Sequence, residues 1–339
     1  MLNSIGSNKG NRYMEDTRPV MVSIRCTVYN HEPYLRDCLE GFVMQKVNFR
    51  IEAIVHDDAS TDGSVAIIKE YAEKYPDIIK PIYEIENQYS KHDGSLERIM
   101  NEACRGKYIA FCEGDDYWID PFKIQKQVDF LESNTGYSMS HTNNICYNQM
   151  KKKFVRDVGE CKKNEIGNRL TCEDVIKYNR IVMTLTVVMR TSVYEQINNS
   201  DPFVFNSGNF LLGDVPKWYT AARLGKVHYL KDITSVYRIL ENSASHIKGC
   251  KNRYKFAVSA QGLRAYLCRR DKLSPELSAS MEKKYADVLL HHLVLNPKYK
   301  PIVPLLPNTY TFELFLQKFR ILIIYLIIKD IYLKIKRRL

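Results

Sequence analysis

The sequence contains no Cys-x-x-Cys pair, although it has nine cysteines. It therefore offers no ready motif for zinc binding or dithiol redox chemistry. The first 20 residues are polar and have no apolar core, so we expect no secretory signal there and a flexible leader over residues 1–19. Free thiols without such a signal favour a reducing, cytoplasmic setting.

Aromatic residues do not interleave with the basic residues, which leaves the formal net charge of +11 without a nucleic-acid explanation. A surface that stacks bases would need that interleaving, so we expect no nucleic-acid partner. The basic residues concentrate at 151–163, at 248–255 and at the extreme C-terminus. A solvated loop is the plainer interpretation of the first two clusters.

Apolar runs alternate with amphipathic segments along the first 131 residues. We predict strands and helices in the order 20–28, 34–44, 51–55, 64–75, 78–85, 95–105, 108–112 and 121–131, starting with a strand. Strands that alternate with helices indicate an α/β fold, with a mainly parallel sheet covered on both faces. Further elements are predicted as a β-like run at 181–189, a helix at 211–224, a strand at 227–238, and helices at 253–270 and 274–294.

Three of the predicted strands end in polar loops, at 27–32, 57–63 and 113–116. Each loop alone could be explained by its turn and helix-capping residues. The carboxyl ends of parallel strands share one edge of a sheet, however, and ligands bind outside that edge. Three such loops on one edge therefore favour a binding site.

The loop Glu113-Gly-Asp115-Asp116 crowds three carboxylates at the end of a predicted buried strand. Such groups repel one another unless a cation lies between them. Mg²⁺ and Mn²⁺ prefer oxygen ligands of this kind and share their remaining positions with substrate phosphates. The sequence therefore predicts a divalent metal site, for Mn²⁺ or Mg²⁺, at this loop.

Four segments together resemble family 2 glycosyltransferases with the GT-A fold. They are 22–30, 57–63, 106–110 and 113–116, and the resemblance covers roughly residues 20–245. It implies a Rossmann-like nucleotide-diphospho-sugar transferase fold with a mixed, mainly parallel sheet and, here, a C-terminal helical extension. It also implies an inverting, metal-dependent transfer from a nucleotide-sugar donor to an acceptor hydroxyl of a glycan or lipid-linked oligosaccharide, in bacterial polysaccharide biosynthesis.

The resemblance assigns residues to the nucleotide and the metal. The nucleotide-binding candidates are Thr27, Val28, Asn30, Glu32, Asp58, Arg98 and Asp115. The metal-ligand candidates are Asp116, Asp115 and His246. An acidic side chain at Asp58 suits the N3–H donor of uracil, and thymine would satisfy it equally. The donor expected from this position is a UDP-sugar.

Asp214 resembles the catalytic base of the family. An inverting transfer needs one carboxylate to take the acceptor hydroxyl's proton during attack on the anomeric carbon. Asp214 could instead be a helix N-cap before Pro216, and the two roles are compatible. Glu113, Trp118 and Trp218 are candidate sugar or acceptor contacts, with a core position as the alternative for Trp218.

The predicted domains are a leader at 1–19, a GT-A domain at 20–250, a helical extension at 251–300 and an amphipathic basic helix at 301–339. The uncharged run 321–328, within 312–339, is too short to cross a bilayer. Its apolar and basic residues suit peripheral contact through 312–339 with the inner face of the cell membrane. The alternative is docking on the protein's own body or on a second chain of an oligomer.

Two other functions fit the sequence less well. A sugar nucleotidyltransferase would need a Gly-rich, basic phosphate loop after the first strand, and residues 27–32 lack one. A non-catalytic carbohydrate- or membrane-binding module could keep the fold without the chemistry. The presence of Asp58, Asp115, Asp116 and Asp214 argues against such a loss.

Overall fold

The computed structural model describes residues 17–157, 159–205, 209–241, 250–296, 299 and 302. Within these residues the chain forms strands β1 (Val20–Val28), β2 (Arg50–Asp57), β3 (Ile79–Tyr83), β4 (Tyr108–Phe111), β5 (Tyr117–Trp118), β6 (Tyr137–Asn148), β7 (Lys153–Val155), β8 (Val188–Arg190) and β9 (Lys226–Ile239). The predicted leader up to residue 16, His246 and the predicted membrane-contact segment 312–339 lie outside the described residues.

The α-helices are α1 (Glu32–Val43), α2 (Ser64–Lys74), α3 (Ser95–Ala103), α4 (Lys123–Ser133), α5 (Glu160–Ile166), α6 (Cys172–Lys177), α7 (Thr191–Ser200), α8 (Pro202–Phe205), α9 (Asp214–Leu224), α10 (Cys250–Arg270) and α11 (Pro275–Leu295). Short 3₁₀ helices lie at Tyr89–Lys91, Gly167–Arg169 and Thr184–Thr186. None of the helices in the described ranges is long and apolar enough to cross a membrane.

The strands form one mixed sheet in the order β3-β2-β1-β4-β8-β6-β9-β5, and β7 pairs with β6. Strands β1 to β4 are parallel to one another. Strand β8 is antiparallel to both of its neighbours, β4 and β6, and β9 is parallel to β6. It follows that β6 and β9 run in the same direction as β4. The carboxyl ends of β1, β2, β4, β6 and β9 therefore share one edge of the sheet.

The first half of the sequence prediction is confirmed, with β1 at its predicted bounds and the other elements shifted by a few residues. Strand β6 was missed because its buried side chains are mostly polar, among them Ser140, His141, Asn143 and Asn144. The β-like run at 181–189 is instead a 3₁₀ helix followed by β8.

Within the described residues, two hydrophobic clusters form the core. One packs α1, α2 and α4 against β1, β2 and β4. The other joins the second half of the sheet to the C-terminal helices: Trp218 and Tyr219 of α9 pack with Leu263 of α10 and Leu289 of α11. Each large apolar side chain buried in this way contributes about 1.5–3 kcal/mol. The helical extension thus shares its core with the elements that carry Asp214.

Candidate active site

Backbone hydrogen bonds join the three polar loops at the shared sheet edge. The N–H of Asp58 donates to the carbonyl of Val28 over 2.8 Å, and the N–H of Gly114 donates to the carbonyl of Thr27 over 3.0 Å. Gly114 is tightly enclosed, since a Cβ there would lie 2.8 Å from Nδ1 of His31. The loops predicted to form one site therefore do meet.

Asn30 and Glu32 lock the first loop to the second. Asn30 adopts a left-handed backbone (φ 55°), and its Oδ1 accepts a hydrogen bond from the N–H of Thr61 over 2.8 Å. Oε2 of Glu32 accepts from the N–H of Gly63 over 2.8 Å. The sequence predicted both as nucleotide contacts, whereas these side-chain oxygens hold the protein's own loops.

Asp58 is almost fully buried, and both of its carboxylate oxygens accept backbone hydrogen bonds. Oδ1 accepts from the N–H of Gln88 over 2.6 Å and Oδ2 from the N–H of Tyr89 over 3.0 Å. Each oxygen keeps a lone pair with which it could accept from a ligand. Its neighbour Asp57 is buried as well, and Oδ1 of Asp57 has no hydrogen-bond partner within the described residues.

The acidic loop places three carboxyl groups close together. Burial raises the pKa of Asp116 well above its usual range, and Asp115 and Glu113 raise it further. Burial, followed by Asp115, also raises the pKa of Glu113 to about 7. This mutual repulsion is what a bound cation would relieve.

Arg238 is the cationic neighbour of this loop. Its backbone N–H donates to Oδ1 of Asp116 over 2.7 Å, and its Nη1 donates to the carbonyl of Asp115 over 3.2 Å. The guanidinium also pairs with Asp37 and lies over the ring of Tyr117. The predicted strand at 227–238 ended at this residue, to which no role was assigned; β9 continues to Ile239.

Asp214 is the first residue of α9, and its Oδ1 accepts from the N–H of Val215 over 2.7 Å. The N-cap position belongs to Gly213, so the N-cap alternative for Asp214 is wrong by one residue. Asp214 lies close enough to Glu113 to contribute to the raised pKa of that carboxyl, after burial and Asp115. The candidate base therefore lies near the acidic loop.

An ion-paired network missed by the sequence interpretation supports the start of α9. Lys217 pairs with Glu97 of α3 at 3.3 Å, and Glu97 also pairs with the buried Arg25 of β1 at 3.4 Å. Tyr194 donates to Glu97 and accepts from Arg25. The sequence contained one sign of this network, namely the charged residue Arg25 within a mostly apolar strand.

Three candidate residues make no side-chain hydrogen bond or ion pair with the other site candidates among the described residues. Trp118 is 2% exposed, packs edge-to-face on Phe42, and donates from Nε1 to the carbonyl of Leu185. Trp218 is also 2% exposed and packs on Phe111. Both tryptophans are core residues, in place of the expected sugar or acceptor contacts. Arg98 is exposed on α3, and its guanidinium forms no hydrogen bond or ion pair with the nucleotide-binding candidates among the described residues.

The described residues contain no group of three or more His, Cys, Asp and Glu side chains arranged to hold a metal ion. The donor set nevertheless fits Mg²⁺ or Mn²⁺, because such ions often bind through one or two carboxylates plus substrate phosphates. Oδ1 of Asp116 is held by Arg238, while Oδ2 makes no hydrogen bond within the described chain. Asp116, with Asp115 beside it, would hold the ion.

The profile of Glycosyl transferase family 2 matches residues 23–197, which is more than half of the chain. The chain belongs to glycosyl transferase family 2. The match contains the three loops, the acidic stretch and the network residues Arg25, Glu97 and Tyr194, and it ends before Asp214.

Relatives of this protein match different lengths of the chain. An uncharacterized Mycobacterium bovis protein, Mb1547, is 45% identical over 111 residues, which is 33% of this chain and 31% of that protein. The Bacillus subtilis putative teichuronic acid biosynthesis glycosyltransferase TuaG is 27% identical over 237 residues, covering 67% of this chain and 82% of TuaG. The Escherichia coli glucosyltransferase WfaP is 32% identical over 113 residues, covering 33% of this chain and 42% of WfaP. The match thus spans about a third of the length of the mycobacterial relative.

Solved structures share the fold. S. aureus TarS in complex with UDP-GlcNAc superimposes with a TM-score of 0.54 at 16% identity, covering 83% of this chain and 76% of the TarS chain. Mannosyltransferase PcManGT from Pyrobaculum calidifontis, in complex with GDP-Man and Mn²⁺, superimposes with a TM-score of 0.54 at 15% identity, covering 86% of this chain and 81% of the PcManGT chain. The mixed α/β fold expected from the sequence, that of the GT-A glycosyltransferases, is therefore confirmed.

Proposed function

We propose that this family 2 protein is an inverting, divalent-metal-dependent glycosyltransferase that moves a sugar from UDP to an acceptor hydroxyl. The observation that carries the proposal is the meeting of Asp214 with the acidic loop. Asp214 comes from the start of α9, about 100 residues later in the chain than Glu113, yet it contributes to the raised pKa of that carboxyl. A single displacement requires a base close to the loop that would hold the metal.

Asp214 acts as the general base in this mechanism. Its Oδ1 is fixed by the N–H of Val215, which leaves Oδ2 for the acceptor's proton. As that proton moves, the acceptor oxygen attacks the anomeric carbon from the face opposite the leaving diphosphate, and the configuration inverts. A divalent cation held by Asp116 and Asp115 would offset the negative charge that develops on the diphosphate.

Asp58 supports the choice of a uracil base. The N–H groups of Gln88 and Tyr89 hold its carboxylate rigidly, and an acceptor in that position matches the N3–H of uracil. The binding of UDP-GlcNAc by TarS, a protein of the same fold, is in keeping with this choice, although it is a property of TarS alone.

A lipid-linked or polymeric glycan is the acceptor class that we propose. WfaP is named as a glucosyltransferase acting on a GlcNAc-diphosphoundecaprenol acceptor, and TuaG as a putative teichuronic acid enzyme. Such an acceptor would bring the protein to the inner face of the cell membrane, where residues 312–339 are predicted to bind.

Release of UDP from a panel of UDP-sugars in the presence of Mn²⁺ tests the proposal. We expect turnover with at least one donor, its loss on chelation, and a fall of about 100-fold or more in Asp116→Asn. That variant keeps an oxygen for the N–H of Arg238 and loses only the charge. Asp120→Asn, in the loop after β5, is the matched control and should keep full activity. Turnover that is indifferent to metal and to Asp116→Asn would refute the proposal.

A further inference from the structure

A buried group of charged and polar side chains lies at the carboxyl ends of β6 and β9, on the same sheet edge as the acidic loop. Asp157 and Lys163 are fully buried, and Oδ2 of Asp157 accepts from Nζ of Lys163 over 2.8 Å. Nζ also donates to Oδ1 of Asn144, on β6, over 2.8 Å. Strand β6, helix α5 and the segment after β7 therefore meet at Asp157, whose carboxylate is fixed by Lys163.

Arg180 completes this group, and it is the member that remains partly open to solvent. Its side chain is 28% exposed, and its Nη2 lies 3.3 Å from Oδ1 of Asp157. The same nitrogen contacts Sγ of Cys146, and the guanidinium lies over the ring of Tyr237 at 4.8 Å. One edge of the guanidinium is thus clamped by Asp157 and one face by an aromatic ring.

The remaining donors of the guanidinium have no protein partner among the described residues. Nε of Arg180 is buried without a hydrogen bond there, and Nη1 makes none either. Buried donors are almost always satisfied, so an unpaired Nε in a clamped side chain indicates a missing acceptor. The guanidinium, with Nη1 unpaired, is a charged donor that suits an oxygen of a phosphate or a carboxylate.

The backbone of Arg180 is held under strain. Its φ is 59°, a left-handed conformation that non-glycine residues seldom adopt. Its carbonyl packs so closely on Gly159 that a Cβ there would lie 2.5 Å away. Strained residues that are kept by their surroundings cluster at functional sites.

Arg180 is connected to the acidic loop through two paired strands. Cys146 on β6 pairs with Tyr237 on β9, and the next residue, Arg238, holds Asp116. Burial raises the pKa of Cys146 to about 11, and Asp116 is near enough to contribute to that increase. Arg180 is therefore linked through β6 and β9 to the acidic loop, where the donor's diphosphate would lie.

We propose that Arg180 is a donor-binding residue whose guanidinium, clamped by Asp157 and Tyr237, binds an oxyanion of the sugar nucleotide. This inference rests on the proposed function. Two parts of a donor carry such a group: the phosphate next to the sugar, and a carboxylate on the sugar itself. Arg180 adds a specificity-determining contact from a part of the chain that has no recognisable motif.

Isothermal titration of wild type and Arg180→Gln with UMP, UDP, UDP-glucose and UDP-glucuronate, all with Mn²⁺, tests the inference. If Arg180 binds the phosphate, affinity for the three diphosphates falls about 10- to 100-fold and affinity for UMP is unchanged. If it binds a sugar carboxylate, only UDP-glucuronate is weakened. Arg180→Lys should recover part of the lost affinity, because lysine keeps the positive charge but has no guanidinium group.

Arg156→Gln is the matched control, because Arg156 lies on the same segment, is 70% exposed and pairs with Glu160 on the surface. It should bind every ligand as wild type does. Equal affinities of Arg180→Gln and wild type for all four ligands would overturn the inference and leave the proposed function intact. A wild type that binds none of the uridine nucleotides would overturn both.

Discussion

The backbone N–H of Arg238 donates a 2.7 Å hydrogen bond to Oδ1 of Asp116, which ties the end of β9 to the acidic loop that follows β4. The guanidinium of the same residue reaches the carbonyl of Asp115. A single residue therefore orients the candidate metal ligand through its main chain and opposes the repulsion among the carboxylates through its side chain.

We expect Arg238→Met to shift the acid limb of the pH profile for sugar transfer upward by about one pH unit. Burial, Asp115 and Glu113 raise the pKa of Asp116, and Arg238 opposes them. Removing the positive charge raises that pKa further, so Asp116 becomes protonated at a higher pH. Arg36→Met, an exposed arginine paired with Glu70, should leave the profile unchanged. An acid limb that stays in place in Arg238→Met would contradict this assignment.

Glu97 and Lys217 form an ion pair, yet we expect their replacement to lower the free energy of unfolding by different amounts. Glu97→Gln should lower the free energy of unfolding by about 3 kcal/mol, because it leaves the buried Arg25 without its carboxylate. Lys217→Met should lower it by about 1 kcal/mol, because Glu97 keeps Arg25. The double variant should be non-additive, and urea unfolding of all three measures the coupling.

Lys107→Met is the control for that cycle, since Lys107 forms an exposed pair with Glu132 and should change stability by less than about 1 kcal/mol. Equal effects of Glu97→Gln and Lys217→Met would show that Arg25 does not depend on Glu97.

Asp58→Asn should weaken both the loop at Gln88 and the binding of UDP. Both carboxylate oxygens accept backbone N–H groups, and an asparagine would turn a donor towards one of them. We expect a loss of about 2 kcal/mol in stability and at least a tenfold loss in UDP affinity. Thermal unfolding and titration measure the two effects. The exposed Asp93 provides the control Asp93→Asn; an Asp58→Asn protein as stable as wild type would refute the account of this loop.

Replacing the buried Lys123 should raise the stability of the protein by an amount that depends on pH. Burial lowers the pKa of Lys123 to about 7, against a usual value near 10.5. Between these values the unfolded chain binds the proton and the folded protein does not. The free energy of unfolding of the wild type therefore rises with pH from about 7 to about 10.5, and below pH 7 the whole cost of charging the buried lysine is felt. Lys123→Met should therefore be more stable than wild type at pH 6 by about 2–4 kcal/mol, allowing for the lost hydrogen bond to Gln127.

Chemical denaturation at pH 6, 8 and 10 measures this difference, which should shrink steadily as the pH rises. Lys126→Met is a suitable comparison, because Lys126 lies on the same helix but its ammonium group is exposed and paired with Asp120 and Asp232. A difference between Lys123→Met and wild type that is constant with pH would mean that Lys123 is charged in the folded protein.

The alternation of apolar runs and turn residues predicted the first four strands and their helices, because those strands bury Val, Ile and Ala on both faces. It could not predict β6, whose buried Asn143 and Asn144 are typical of a loop until partners such as Lys163 are placed beside them. Nor could periodicity show that α10 and α11 close the core around Trp218.

The site divides in a similar way. Motif spacing predicted the meeting of Asp58 with the acidic loop, because parallel strands end at a common edge. It assigned Asn30 and Glu32 to nucleotide binding. Their side chains instead accept hydrogen bonds from the next loop, and a motif cannot show such bonds because the partners are far apart in the sequence. Aromatic side chains close to an acidic motif suggested sugar contacts, and only the packing shows that Trp118 and Trp218 are enclosed.

The central claim is that Asp214 takes the acceptor's proton, and Asp214→Asn tests it most directly when donor binding and sugar transfer are measured on the same protein. Asparagine keeps the oxygen that accepts from Val215 and removes the base. The account predicts UDP-sugar affinity within about threefold of wild type and a transfer rate lower by about 10²- to 10⁴-fold. Transfer at the wild-type rate by a variant that still binds the donor would contradict it.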